Sequence, residues 1–168
     1  MGHLQQQRSL VLASASPRRR EILGQLGVQF RVEPSGMDES MLPGEAPQAH
    51  VERLARGKGR QIRERLQRAP DSPCVLSADT VVLVDGVVYG KPIDDDDALR
   101  MLRNLSGRTH HVLTGLALCE VGGAYEESLV LTTEVTFRSL DEQTIRGYVM
   151  SGEACDKAAS YAIQGLGA

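Results

Sequence analysis

Leu10-Val11-Leu12-Ala13-Ser14-Ala15-Ser16-Pro17-Arg18-Arg19-Arg20 decides how this chain is read, because an apolar run passes without a break into a helix start. Leu10 to Ala13 predicts a short buried strand. Ser16 predicts a helix N-cap, and Pro17 the first helical residue, where its missing N–H removes nothing the helix would use. A first helical turn favours Asp or Glu, since its unpaired N–H groups carry partial positive charge, yet here three arginines follow the cap. Only an external anion is expected to resolve this conflict. Free N–H groups, the Ser14 and Ser16 hydroxyls and guanidinium forks would then form a phosphate site at a strand-to-helix turn. The alternative is a solvated basic turn.

The 168 residues suffice for one well-buried core or two small lobes around a cleft, and one compact unit is expected. Net charge is −3 and Trp is absent, which argues against a basic groove with stacking platforms for a nucleic acid polymer. No apolar run approaches the roughly 18 to 20 residues of a membrane span, and Met1 to Arg8 lacks the apolar centre of a signal peptide. A cytosolic protein without membrane or polymer partners is expected. Cys74, Cys119 and Cys155 are widely spaced without a CxxC, so they are read as reduced structural thiols.

Gly27 predicts the end of the first helix, and Val28 to Val32 a second strand. Ser35 to Pro47, which holds Asp38-Glu39, predicts a loop that carries function. A long helix is predicted over about residues 46–67, with the apolar stripe Val51, Leu54, Ala55, Ile62 and Leu66. Lys58 lies on that stripe, so its ammonium is directed toward the protein, either to bind an anion or to snorkel out along its stem. Gly57 and Gly59 beside it either allow close backbone approach or simply weaken the helix.

Cys74 to Val84 predicts a strand, Asp85-Gly86 a hairpin turn and Val87-Val88-Tyr89 the return strand. A carboxylate at Asp79, inside that apolar strand, requires a metal, a cation or donors. Gly90-Lys91-Pro92 holds Lys91 on a stiff loop. Asp94 to Asp97 is read as a solvated cap of a helix with apolar positions Ala98, Met101, Leu102 and Leu105. His110 and His111 are adjacent, so they point to opposite sides of a strand and are read as structural. Two longer strands, from Val112 to Glu120 and from Tyr125 to Arg138, flank Gly122-Gly123. Ser139-Leu140-Asp141-Glu142 is read as a capping box that starts a helix reaching about Met150.

An Arg-rich helix start, two positioned lysines and two separated acidic sites fit hydrolysis of a polyphosphate with Mg²⁺ or Mn²⁺ held by carboxylates. The chain has no G-x-x-x-x-G-K-[ST] loop, G-x-G-x-x-G turn, H-E-x-x-H or G-x-S-x-G elbow with triad partners. Six ordered segments resemble the Maf family of nucleoside triphosphate pyrophosphatases. They are Ala13-Ser14-Ala15-Ser16-Pro17-Arg18-Arg19, Ser77-Ala78-Asp79-Thr80-Val81, Gly90-Lys91-Pro92, Leu105-Ser106-Gly107-Arg108-Thr109-His110, Val112-Leu113-Thr114-Gly115 and Asp156-Lys157-Ala158-Ala159-Ser160-Tyr161-Ala162-Ile163-Gln164-Gly165.

The resemblance implies an α/β fold with an elongated mixed central sheet, flanking helices and two lobes around a cleft, related to the inosine-triphosphate pyrophosphatase fold. It implies a homodimeric house-cleaning enzyme that converts nucleoside triphosphates to the monophosphate and pyrophosphate. On it, Asp79 becomes the catalytic acid-base residue and a metal ligand, and Glu39 the second acidic metal site. Ser14, Ser16, Arg18 and Arg19 fall on the phosphate-binding loop, and Lys58 and Lys91 on lysines that contact phosphates. Arg18, Thr80 and Gln164 fall where the family sets base specificity. The Arg pair with Gln164 resembles the branch acting on dTTP and UTP. The branch acting on 7-methyl-GTP stays open, as does a non-catalytic nucleotide-binding regulator of septum formation.

Three features depart from the pattern. Ala159 and Ala162 stand where the family has glycines, and Gly59 stands where Ala is common. The family also continues past Gly165-Leu166-Gly167 into a strand and a closing helix, so the domain over residues 1–168 is expected to lack that segment.

Overall fold

The computed structural model describes residues 6–155 and 157–167, so Asp156 of the last motif and the chain end at Ala168 lie outside the described residues. The chain forms β1 (Leu10–Leu12), α1 (Pro17–Gln25), β2 (Phe30–Val32), α2 (Pro47–Arg65), β3 (Cys74–Val84) and β4 (Val87–Tyr89). It continues through α3 (Asp95–Leu105), β5 (Thr109–Glu120), β6 (Glu126–Thr136) and α4 (Glu142–Met150), with short 3₁₀ turns at Ala158–Ser160 and Gly165–Gly167. The strands form one sheet in the order β2-β1-β3-β5-β6, with β4 also paired to β3. β1 runs parallel to β2 and β3, whereas β4 runs antiparallel to β3, so the sheet is mixed and the fold is α/β. No helix among the described residues is long and apolar enough to cross a membrane.

The chain divides into two compact units. The first comprises Met1–Asp79 and Gly115–Val130, and the second Thr80–Thr114 and Leu131–Ala168. In the first, Val11, Ala13, Ile62, Val75, Cys119 and Val121 form a buried cluster against which Leu66 packs. The stripe read from helical spacing faces inward: Val51, Leu54, Ala55, Lys58 and Ile62 are all buried on α2. Gly59 serves close approach to β3, whereas the only neighbour of a methyl at Gly57 is the flexible end of the Met37 side chain. A methyl at Gly57 would lie 2.4 Å from Met37 Sδ, and one at Gly59 2.8 Å from Ser77 Oγ.

In the second unit, Val82, Val84, Tyr89, Met101, Leu105 and Ala159 form one cluster, and Ala98, Leu102, Ile145, Val149 and Ala154 another. Asp94 caps α3 by accepting from the Asp97 amide at 2.8 Å, which is the expected solvated cap. His110 is buried and His111 exposed, as alternation requires. The three cysteines are free.

Several boundaries differ from those read in the sequence: β2 begins at Phe30 and not Val28, β6 spans Glu126–Thr136 and not Tyr125 to Arg138, and two further shifts have a visible cause. β5 begins at Thr109, three residues before Val112, because the Phe137 amide donates to the Arg108 carbonyl and extends the pairing. The cap of α4 is Asp141, whose carboxylate accepts from the Thr144 amide at 2.7 Å, in place of Ser139. The Gly107 amide donates to the Arg138 carbonyl and the Leu140 amide to Ser106 Oγ, which hold the chain extended past Ser139 before the helix can start.

Candidate functional site

α1 starts as its sequence dictates. Ser16 Oγ accepts from the Arg19 amide at 3.5 Å, Pro17 is the first helical residue, and no acidic residue occupies the first turn. Ser14 Oγ accepts from the Ser16 amide at 3.2 Å and from Arg19 Nη1 at 3.0 Å. Each serine oxygen is thus used as an acceptor, which leaves its O–H proton to donate to a further acceptor.

The arginine conflict is partly resolved within the protein, which corrects the expectation that only an external anion could do so. Arg19 Nη1 also donates to the Ala78 carbonyl at 2.8 Å, so its guanidinium crosses from the helix start to β3. Burial pulls the Arg19 pKa below its ordinary value, while the nearby charges of Asp79 and Glu39 push it back up. Arg20 is exposed. Arg18 is half-buried and makes no hydrogen bond or ion pair among the described residues.

Asp79 is buried and has the cation its position demands. Lys58 Nζ donates to Asp79 Oδ1 at 2.7 Å and lies 2.6 Å from Glu39 Oε1. The Lys58 and Asp79 side chains are 8% and 9% exposed, whereas Glu39 is 53% exposed, so one buried ammonium bridges a buried and an open carboxylate. Without the ammonium the buried Asp79 carboxylate would lack a counter-charge. Among the described residues no group of three or more His, Cys, Asp and Glu could hold a metal. Glu39 and Asp79 do supply two hard carboxylate oxygens, the donor type of Mg²⁺, which takes one or two carboxylates and completes its shell with water and substrate phosphate. The position on which they converge is held by Lys58 Nζ, so an ion there requires the ammonium to turn away.

A clasp that spacing alone did not reveal holds the Glu39 loop. Glu45 accepts from Arg53 Nε at 2.5 Å and lies 3.0 Å from His50 Nδ1, and Arg53 Nη2 reaches back to the Ser40 carbonyl at 3.0 Å. The Arg53 guanidinium is the main reason that the Glu45 pKa is held down to about 2. His50 and Arg53, one turn apart on α2 and just after Glu45, were the available signal.

The remaining predicted residues belong to the second unit. Thr80 Oγ1 lies 3.4 Å from Thr114 Oγ1. Lys91 is exposed beside Gly90, whose carbonyl accepts from the Ala159 amide at 2.8 Å. Gln164 is exposed between the two 3₁₀ turns.

Fold and site together define an α/β protein that sets a basic helix start beside a lysine-bridged pair of carboxylates. The family model for Maf-like protein matches residues 9–168. A dTTP/UTP pyrophosphatase of Dechloromonas aromatica (strain RCB) is 50% identical over 93% of this chain and 81% of its own length. One of Myxococcus xanthus (strain DK1622) is 50% identical over 94% of this chain and 77% of its own. One of Escherichia coli O157:H7 is 49% identical over 95% of this chain and 78% of its own. The chain belongs to the Maf family.

Proposed function

We propose that this chain is a nucleoside triphosphate pyrophosphatase that hydrolyses dTTP and UTP to the monophosphate and pyrophosphate. The observation that carries the chemistry is the Lys58 bridge between Glu39 and Asp79, with Arg19 beside them. Support for the substrate class comes from the activity named for the three relatives above.

On this reading Asp79 takes the proton of a water that attacks the α-phosphorus. The bond to the β-phosphate oxygen breaks and pyrophosphate leaves. Ser14, Ser16, Arg18, Arg19 and Lys58 hold phosphate oxygens and offset the charge that builds on the departing group. Lys91 contributes a further phosphate contact. Thr80 and Gln164 meet the base, where the Gln164 amide offers both a donor and an acceptor to the O4 and N3–H edge of uracil or thymine. Glu39 and Asp79 would hold Mg²⁺ or Mn²⁺. When bound, the ion polarises a phosphoryl oxygen and acidifies water. The same reading makes the protein a cytoplasmic homodimer acting on free nucleotides, with no polymer or membrane partner.

The test is kcat/KM, from pyrophosphate release, for UTP, dTTP, CTP, GTP and 7-methyl-GTP with Mg²⁺ or Mn²⁺. UTP and dTTP are expected to lead clearly, because a site built to bond a polar edge rejects bases that leave its groups unpaired. Gln164→Glu is expected to erode that lead. Faster turnover of 7-methyl-GTP than UTP would place the chain in the other branch, and tight nucleotide binding without turnover would make it a regulator.

Arg18→Ala is expected to weaken triphosphate binding by about ten- to a hundredfold, the equivalent of one charge-assisted contact worth about 1.5–3 kcal/mol. α1 should be no less stable, since a cation in its first turn opposes the helix dipole. Titration calorimetry showing unchanged affinity would remove Arg18 from the anion site.

A further inference from the structure

His110 is fully buried on β5, yet it is polar in a place where packing alone asks for an apolar ring. Its imidazole meets Phe137 edge-on at 5.1 Å and Tyr161 at 5.4 Å, and Phe137 meets Tyr161 at 4.7 Å. Three apolar aromatics could make the same packing. What they could not make is the 2.7 Å hydrogen bond between His110 Nε2 and the Tyr161 hydroxyl. That bond is kept although, among the described residues, Nδ1 is buried with no well-formed hydrogen bond and only the nearby Arg108 backbone to offset its burial, an arrangement that ordinarily works against stability. Burial lowers the His110 pKa and raises that of Tyr161 to about 12, so burial favours the neutral form of both partners in this bond.

Tyr161 sits in a segment that needs holding. Ala159 and Ser160 have φ of +54° and +64°, a left-handed conformation that non-glycine residues adopt only when their surroundings enforce it. The Ala159 amide donates to the Gly90 carbonyl, next to Lys91, and Gln164 follows three residues after Tyr161. Beside the Ala159–Gly90 bond, the His110–Tyr161 hydrogen bond therefore helps anchor a segment that touches the Lys91 loop at one end and carries Gln164 at the other.

We propose that His110 is a positioning residue which, through Tyr161, sets Gln164 for base selection and steadies the Gly90-Lys91-Pro92 loop. The role in selection rests on the reading above that Gln164 meets the base and Lys91 the phosphates. Tyr161→Phe removes one hydroxyl, and His110→Phe removes the bond while keeping an aromatic ring. His110→Gln returns a polar amide close to the position of Nε2.

Each Phe variant is expected to raise KM for UTP about tenfold with kcat within about threefold, and to narrow the preference for UTP over CTP by a similar factor. The double variant should be no worse than either single one, because both remove the same bond. His110→Gln should recover much of the loss. Unchanged KM and preference with only a lower thermal midpoint, or additive losses in the double variant, would overturn the proposal. Hydrogen exchange separates it from the functional reading. Faster exchange at residues 158–164 in Tyr161→Phe supports the anchor whatever the nucleotide chemistry, and unchanged exchange there overturns it. Absence of pyrophosphate release by the unmodified protein, in contrast, defeats the functional reading and leaves the anchor to be decided by exchange.

Discussion

Asp79→Asn is expected to lower kcat for pyrophosphate release by about a thousandfold or more, while the chain still folds. General-base assistance alone is worth roughly a hundred- to ten-thousandfold, and the amide also loses the anionic oxygen suited to a divalent cation. A lone carboxylate in an apolar strand would make its removal a relief. The structure reverses that sign, because Lys58 Nζ lies 2.7 Å from Asp79 Oδ1 and the substitution would remove one of its two counter-charges. Glu39 remains at 2.6 Å, so the ammonium is not orphaned and the destabilisation is held to about 1–3 kcal/mol. Steady-state turnover beside a thermal melt checks both parts. An Asn variant that keeps most of its activity would show that Asp79 is not the base.

Much of this arrangement was legible in the sequence wherever one local rule had a single solution. Asp85-Gly86 between two β-branched runs gave β3 and β4 to the residue, because a tight hairpin turn requires residues that tolerate positive φ, and both adopt it. Helical spacing put Lys58 on the inward stripe while leaving snorkelling open, and the solitary acid in β3 needed a metal, a cation or donors, of which the structure supplies the cation. What stayed hidden depends on chain segments far apart. The Glu45 clasp needs the loop to fold back on α2 before His50 and Arg53 can meet it. The helix cap moved from Ser139 to Asp141 because β6 and the Ser106 turn hold the intervening backbone. Propensity was silent about residues 158–164, where Ala159 and Ser160 take a left-handed backbone and the chain is held by hydrogen bonds from Ala159 to Gly90 and between Tyr161 and His110, partners far away in the sequence.

Gly115→Ala is expected to destabilise the protein by about 3 kcal/mol, at the upper end for overpacking. A methyl at this position would lie 2.3 Å from the Val51 carbonyl oxygen, 2.6 Å from its carbon and 3.0 Å from the Glu52 amide nitrogen. All three atoms are backbone of α2, so no side-chain rotation can make room and the helix itself must move. That helix is fixed nearby by Ser77 Oγ, which donates to the Ala55 carbonyl at 2.6 Å, and by the fully buried Val51 and Ala55. For a chain of this size the loss corresponds to a thermal midpoint lower by roughly 6–12 °C. Because α2 also carries Lys58, turnover of the folded fraction should fall as well, through a longer path from the ammonium to Asp79. The control is the same substitution at Gly147, inside α4 with nothing within 4 Å of the added methyl. There Ala is expected to stabilise by up to about 1 kcal/mol, because only helix propensity changes. Equal effects at the two positions would mean that α2 is free to shift on the sheet, and that Gly115 does not set where Lys58 lies.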